Sequence, residues 1–206
     1  MNGRRVLIVL LSMMLFSIGA SAQMVKASFG VIGGGIGTQM NTVPATTDPM
    51  YLSGYGGVFS TINMGKVLGI RVGGNYAMQG GNYMLGDVDV DVNVRQSYIN
   101  IPASLLINLR SFIALEAGFY QNILLSSSYK ESKWEITTFT PDEGALKYNF
   151  GALAGLTFNF GRFVFLSMRY NYGLSKSYVI HGEGYKVNTV TVGLGFNIFT
   201  TRKTAF

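Results

Sequence analysis

Six segments of this chain alternate between apolar residues on one side and small or polar residues on the other. Each is long enough for a tilted strand of about 9–11 residues to cross a bilayer. In Val67–Gln79, Leu68, Ile70, Val72, Tyr76 and Met78 share one face, opposite Arg71, Asn75 and Gln79. Tyr98–Ile107 sets Ile99, Ile101, Ala103, Leu105 and Ile107 against Tyr98, Asn100, Pro102 and Ser104. Phe112–Leu125, Tyr148–Phe160, Phe163–Ser175 and Val187–Phe199 repeat the pattern. Ser28–Gln39 and Leu52–Ile62 also look extended, but glycine dilutes them and their faces cannot be assigned. The expectation is eight strands.

What solvent those faces meet follows from charge and address. Of the 206 residues 48% are hydrophobic and only 13% charged, where a soluble domain carries about 25%. The chain opens with Arg4 and Arg5, an apolar stretch Val6 to Ile18, and Ala20-Ser21-Ala22 as a small-x-small cleavage site. This reads as a secretory signal peptide over residues 1–22, leaving a domain over residues 23–206. Thirteen helical residues reach only about 20 Å, short of a ~30 Å hydrocarbon core. No later run of 18 apolar residues occurs, so a helical span is not expected. With no cysteine, disulfide scaffolds, thiol nucleophiles, Cys-based zinc sites and lipoprotein acylation are all excluded.

The connections order the strands. Asn63–Lys66, Asn108–Ser111 and Gly161–Arg162 are tight, whereas Met40–Tyr51, Gly80–Val94, Ser126–Lys147 and Lys176–Lys186 are long. Alternation of long and short predicts an all-β, eight-stranded antiparallel up-and-down transmembrane β-barrel with short periplasmic turns and long external loops. Nine of the ten acids fall in the long connections, and each tight turn holds one basic residue: Lys66, Arg110 or Arg162. The apolar faces carry no charge centrally, as a lipid-facing wall requires. Aromatics including Tyr148, Phe160, Tyr172 and Phe199 gather near strand ends, as interface girdles do.

Candidate chemistry is sparse. Gly30 to Gly37 superficially suggests a nucleotide loop, but a G-x-G-x-x-G reading from Gly33 ends on Thr38, and no helix pattern follows. A first strand inside a narrow barrel explains it better. Asp87, Asp89 and Asp91 mimic the start of a calcium loop, yet Val92 and Tyr98 stand where Gly and Glu are needed. They are expected to form an acidic loop able to contact a partner or a bridging cation. His181 is the only histidine and has no supporting nucleophile pattern. Arg71, Glu116 and Arg169 lie on polar faces and are expected to pair inside the barrel as a structural plug. No metal, cofactor or nucleic acid is expected.

Three stretches carry a family resemblance. Ser97-Tyr98-Ile99-Asn100-Ile101-Pro102, Ala114-Leu115-Glu116-Ala117-Gly118 and Arg169-Tyr170-Asn171-Tyr172-Gly173-Leu174 together resemble PorT-type outer membrane β-barrel proteins, small barrels of the OmpA/OmpX kind. Thr191-x-Gly193-x-x-Phe196-x-Ile198 is similar to the C-terminal strand signal read by barrel-assembly machinery, although Thr200–Phe206 follows it. The resemblance implies outer-membrane lipids or lipopolysaccharide and that machinery as partners, with a secretion-accessory part for the family's namesake. The function expected is non-enzymatic: envelope integrity, surface interaction through the long loops, or secretion support. Two alternatives are a barrel enzyme acting on lipid or lipopolysaccharide through His181, and a soluble periplasmic barrel holding an apolar ligand. The last requires Leu68, Ile70 and Val72 to point inward.

Overall fold

Alternating residues of a strand can serve two solvents only if the sheet separates them, and this sheet does so by closing on itself. The computed structural model describes residues 24–41, 50–84, 91–131, 146–180 and 183–204. They form strands β1 (Met24–Asn41), β2 (Tyr51–Met64), β3 (Leu68–Met84), β4 (Asp91–Arg110), β5 (Ile113–Glu131), β6 (Tyr148–Phe160), β7 (Val164–Gly173), β8 (Tyr178–Ile180) and β9 (Glu183–Thr204). β1 to β7 pair antiparallel with their neighbours, β7 pairs with β9, and β9 returns to β1. The result is a closed eight-stranded antiparallel barrel. Closure gives each of the eight barrel strands, β1 to β7 and β9, a partner on both sides, the condition for strands to cross hydrocarbon. Met24 lies opposite Thr204 and Asn41 opposite Lys186, so the seam runs the length of β1.

The three tight turns occupy residues 65–67, 111–112 and 161–163. Gly65 and Gly161 take φ of 72° and 75°, a left-handed conformation that a side chain would strain.

The faces sort as the alternation requires. Ile70, Val72, Tyr76 and Met78 of β3 point outward, as do Val190, Val192, Leu194 and Phe196 of β9. Arg71, Asn75 and Gln79 are buried on the inside. This orientation of Ile70 and Val72 is opposite to what a soluble apolar-ligand barrel needs. On β6, Tyr148 and Phe160 bracket the outward apolar face. Twelve steps of ~3.3 Å at a tilt near 40° separate them by about 30 Å along the barrel axis, the thickness of a hydrocarbon core.

Four expectations on boundaries are corrected. β3 runs to Met84 and β4 starts at Asp91, directly paired, so most of the Gly80–Val94 connection is β-ribbon. β5 likewise extends to Glu131, and β8 pairs with the start of β9, Ile180 opposite Glu183. Beyond the hydrocarbon neither face need be apolar, so the ladder continues without an alternating signature. At the other end β9 runs past Phe199 to Thr204 because β1 supplies a partner down to Met24.

The glycine-diluted strands now have faces. Ile32, Ile36 and Thr38 of β1 and Phe59 and Thr61 of β2 are buried inward, while Phe29, Val31, Val58 and Ile62 point out. Ile32, Phe59 and Phe165 form an apolar cluster inside the barrel, with Tyr55 against it.

Candidate functional site

Eight strands leave an interior only as wide as its side chains, so what fills it decides what the barrel can do. Arg71, Glu116 and Arg169 occupy inward positions on the alternate strands β3, β5 and β7, and the structure brings all three together. Arg169 Nη2 lies 3.0 Å from Glu116 Oε1 and Arg71 Nη1 lies 3.4 Å from Oε2. Ser104 Oγ donates to Oε1 at 2.6 Å and Thr157 Oγ1 to Oε2 at 3.4 Å. Both carboxylate oxygens are thus engaged twice, which a buried charge needs if its lost hydration is to be offset. Arg71 also donates from Nε to Thr61 Oγ1 at 3.2 Å and from Nη1 to Thr157 Oγ1 at 3.3 Å.

An aromatic clamp holds Arg71 from the side. Its guanidinium carbon sits 4.6 Å from the Phe165 ring centroid and 5.5 Å from that of Phe59. The two rings meet edge to face at 5.1 Å. Such cation–π contacts are worth about 2 kcal/mol when desolvated. Phe165 fits because Gly195 faces it across β7–β9: a Cβ at Gly195 would collide with the Cζ end of the Phe165 ring. Gly193 makes the same room for the Tyr55 hydroxyl. Two guanidiniums against one carboxylate leave the cluster with one excess positive charge, and Arg169 Nε finds no hydrogen-bond partner.

Farther toward the long connections, Asn75, Asn100, Asn122 and Asn149 stand directly opposite one another on β3 to β6. Each amide donates to the next, at 3.4, 2.6 and 2.9 Å, forming a four-strand ladder across the inner wall. Fully buried Tyr98 donates to Gln96 Oε1 at 2.6 Å nearby. The cavities flanking the cluster and the ladder are about 20 and 10 Å³, room for about one water each.

Below the cluster the interior opens. A cavity of about 510 Å³ at the tight-turn end has Arg71 and Phe165 among its lining, together with the turn residues Lys66, Arg110 and Arg162. Neither this mouth nor the aromatic clamp was expected from sequence. Two signals were there to read: Phe165 is an aromatic in the polar register of Ser167 and Arg169, and an asparagine precedes each tight turn at Asn63, Asn108 and Asn159.

The other candidate residues that the structure describes are not gathered into a site. Gly30 to Gly37 lie within β1, paired to β2 on one side and β9 on the other. Asp91 opens β4 opposite Met84, while Asp87, Asp89 and His181 lie outside the described residues, as does the expected signal peptide. Among the described residues no three His, Cys, Asp or Glu converge as a metal site would require.

This architecture has known counterparts. The attachment invasion locus protein Ail of Yersinia pestis is similar in structure with a TM-score of 0.51 at 13% identity, covering 86% of this chain and 98% of that one. Neisserial surface protein A (NspA) matches with a TM-score of 0.54 at 13% identity, covering 84% of this chain and 99% of its own. At such identity these likenesses speak for the fold alone. No curated protein matches the chain. The sequence model described as outer membrane protein beta-barrel domain matches residues 16–179, well over half of the chain and spanning β1 to β7; the chain belongs to the outer membrane protein beta-barrel domain family.

Proposed function

We propose that this protein is a plugged, non-enzymatic outer-membrane barrel: exported by the signal peptide Met1–Ala22, inserted as residues 23–206, and acting as a rigid scaffold for its long-hairpin end. The observation that carries the reading is the Arg71–Glu116–Arg169 cluster lying across a lumen whose flanking cavities hold about one water each. Glu116 accepts four contacts from its neighbours, so it is not a free carboxylate of the kind a general base needs. The role that remains is to present a surface. The ribbons that prolong β3–β4, β4–β5 and β8–β9 beyond the apolar belt carry the barrel toward its acidic end, where Asp91 opens β4 and the neighbouring sequence holds Asp87 and Asp89. There they would meet a protein partner or a cation bridging to lipopolysaccharide. The PorT-like stretches make a secretion assembly the first protein partner to test. Barrel-assembly machinery would insert the chain through the C-terminal strand pattern around Phe196 and Ile198.

Envelope fractionation with unboiled and boiled gel samples tests the core of this reading. Recovery in the outer membrane with a mobility shift on boiling is expected. Recovery in the soluble periplasm would overturn it. Unchanged lipid and lipopolysaccharide profiles in a His181→Ala strain are expected as well; an altered profile would favour the enzymatic alternative.

A further inference from the structure

The cavity at the tight-turn end is one-sided in charge. Lys26, Lys66, Arg110 and Arg162 line it, Arg71 reaches it from the cluster above, and among the described residues no carboxylate lines it. The sequence sharpens this asymmetry, because every acid except Glu116 lies in or beside the long connections at the opposite end. Glu116 cannot balance the mouth, being shared already between two guanidiniums. Cations spaced around a concave mouth with low-dielectric walls repel one another, and the field they focus there favours a multivalent anion. Basic turns serving only to meet lipid headgroups on the barrel's outer rim would have no need to line its lumen.

Neutral donors complete the site. Asn63, Asn108, Asn159 and Asn197 line the same cavity, one each from β2, β4, β6 and β9. Asn108 Nδ2 donates to Asn63 Oδ1 at 3.5 Å and Asn197 Nδ2 to the Arg162 carbonyl at 3.2 Å, which ties the amides to one another and to a basic turn; their remaining N–H groups together with the cations suit an oxyanion with several acceptor oxygens. At about 510 Å³ the cavity falls within the ~300–1,000 Å³ of small-ligand sites.

We propose that the tight-turn mouth of the barrel binds a phosphate-bearing anion carrying at least two negative charges, held by Lys26, Lys66, Arg110 and Arg162. A soluble diphosphate and the headgroup of a doubly charged phospholipid offer the same chemistry. To test this, the folded exported protein in zwitterionic detergent is titrated calorimetrically with inorganic pyrophosphate. In parallel, native mass spectrometry measures retention of cardiolipin against phosphatidylcholine. The double variant Lys66→Ser/Arg162→Ser alters two exposed turn positions, and Lys147→Ser, beside Tyr148 at the far end, is the control. A gel mobility shift on boiling shows that each variant has folded. Binding of at least one probe, weakened about ten-fold or more in the double variant and less than about two-fold in the control, is expected. Pyrophosphate binding without cardiolipin retention assigns a soluble ligand, and the reverse assigns a lipid. Failure of both probes to bind, or equal binding by the folded double variant and wild type, would overturn the site.

Discussion

Arg169 Nη2 stands 3.0 Å from Glu116 Oε1, and that contact gives the buried carboxylate a second cation beyond Arg71. The arrangement is asymmetric in what each partner can lose. Without Glu116, two guanidiniums would share a buried site with no counter-charge. Without Arg169, Glu116 keeps Arg71, Ser104 and Thr157, and the excess positive charge disappears. Glu116→Gln is therefore expected to destabilise the barrel by about 3–5 kcal/mol, the usual cost of breaking a buried pair, and Arg169→Gln by clearly less. Urea unfolding followed by the gel mobility of the folded form measures both. An equal or reversed order would show that the excess charge is not what distinguishes the two positions.

Space governs the next prediction. A Cβ at Gly195 would collide with the Cζ end of the Phe165 ring, which packs against both Arg71 and Phe59. Gly195→Val is expected to cost more than the ~1–3 kcal/mol of ordinary overpacking, because the obstructed group is a buried ring already packed against Arg71 and Phe59. Phe165→Ala should restore folding in the double variant while leaving Arg71 less firmly held. Thermal unfolding of the single and double variants decides it; if Gly195→Val folds as stably as wild type, the ring has somewhere else to go.

These interior contacts mark where sequence legibility stops. Six strands showed in the sequence because a bilayer on one side and a filled lumen on the other enforce alternation, as in Val67–Gln79. β1 and β2 did not reveal their faces because both sides carry apolar residues: Ile32 and Phe59 point inward, Val31 and Val58 outward. Arg71, Glu116 and Arg169 stood out because charge on a polar face is conspicuous. Phe59 and Phe165 did not, since an apolar ring carries no mark of which side it faces. The ribbons beyond Gln79 and Leu125 were read as loops because strands outside hydrocarbon need only ladder partners, here Met84 with Asp91 and Glu131 with Val92.

The outer wall permits a test free of packing effects. Ala154 lies midway between Tyr148 and Phe160 on β6 and is exposed to the outside. Its short side chain fills no cavity, so a substitution there reports the surrounding solvent. Ala154→Arg is expected to destabilise the barrel by about 2–4 kcal/mol in a bilayer, while Ala154→Leu should be tolerated. Reversible unfolding from lipid vesicles compares them. If arginine and leucine behaved alike, the face would not be buried in hydrocarbon.

The plug makes a final prediction about transport. Ions crossing the lumen would have to pass Arg71 and the two rings beside it and then the asparagine ladder, where the flanking cavities are about 10 and 20 Å³. Neither holds more than about one water, so among the described residues no continuous aqueous path runs past this level. The wild-type protein in planar bilayers is expected to show no steady open conductance at neutral pH. Glu116→Gln should not create an anion path despite the added net positive charge, because the Phe59 and Phe165 rings still fill the cross-section. Phe59→Ala/Phe165→Ala, which empties that level and joins the ~510 Å³ mouth to the space above, should raise conductance before any change at Glu116 does. Steady single-channel currents from the wild-type barrel would mean that the Arg71–Glu116–Arg169 layer opens, and that the cluster acts as a gate instead of a plug.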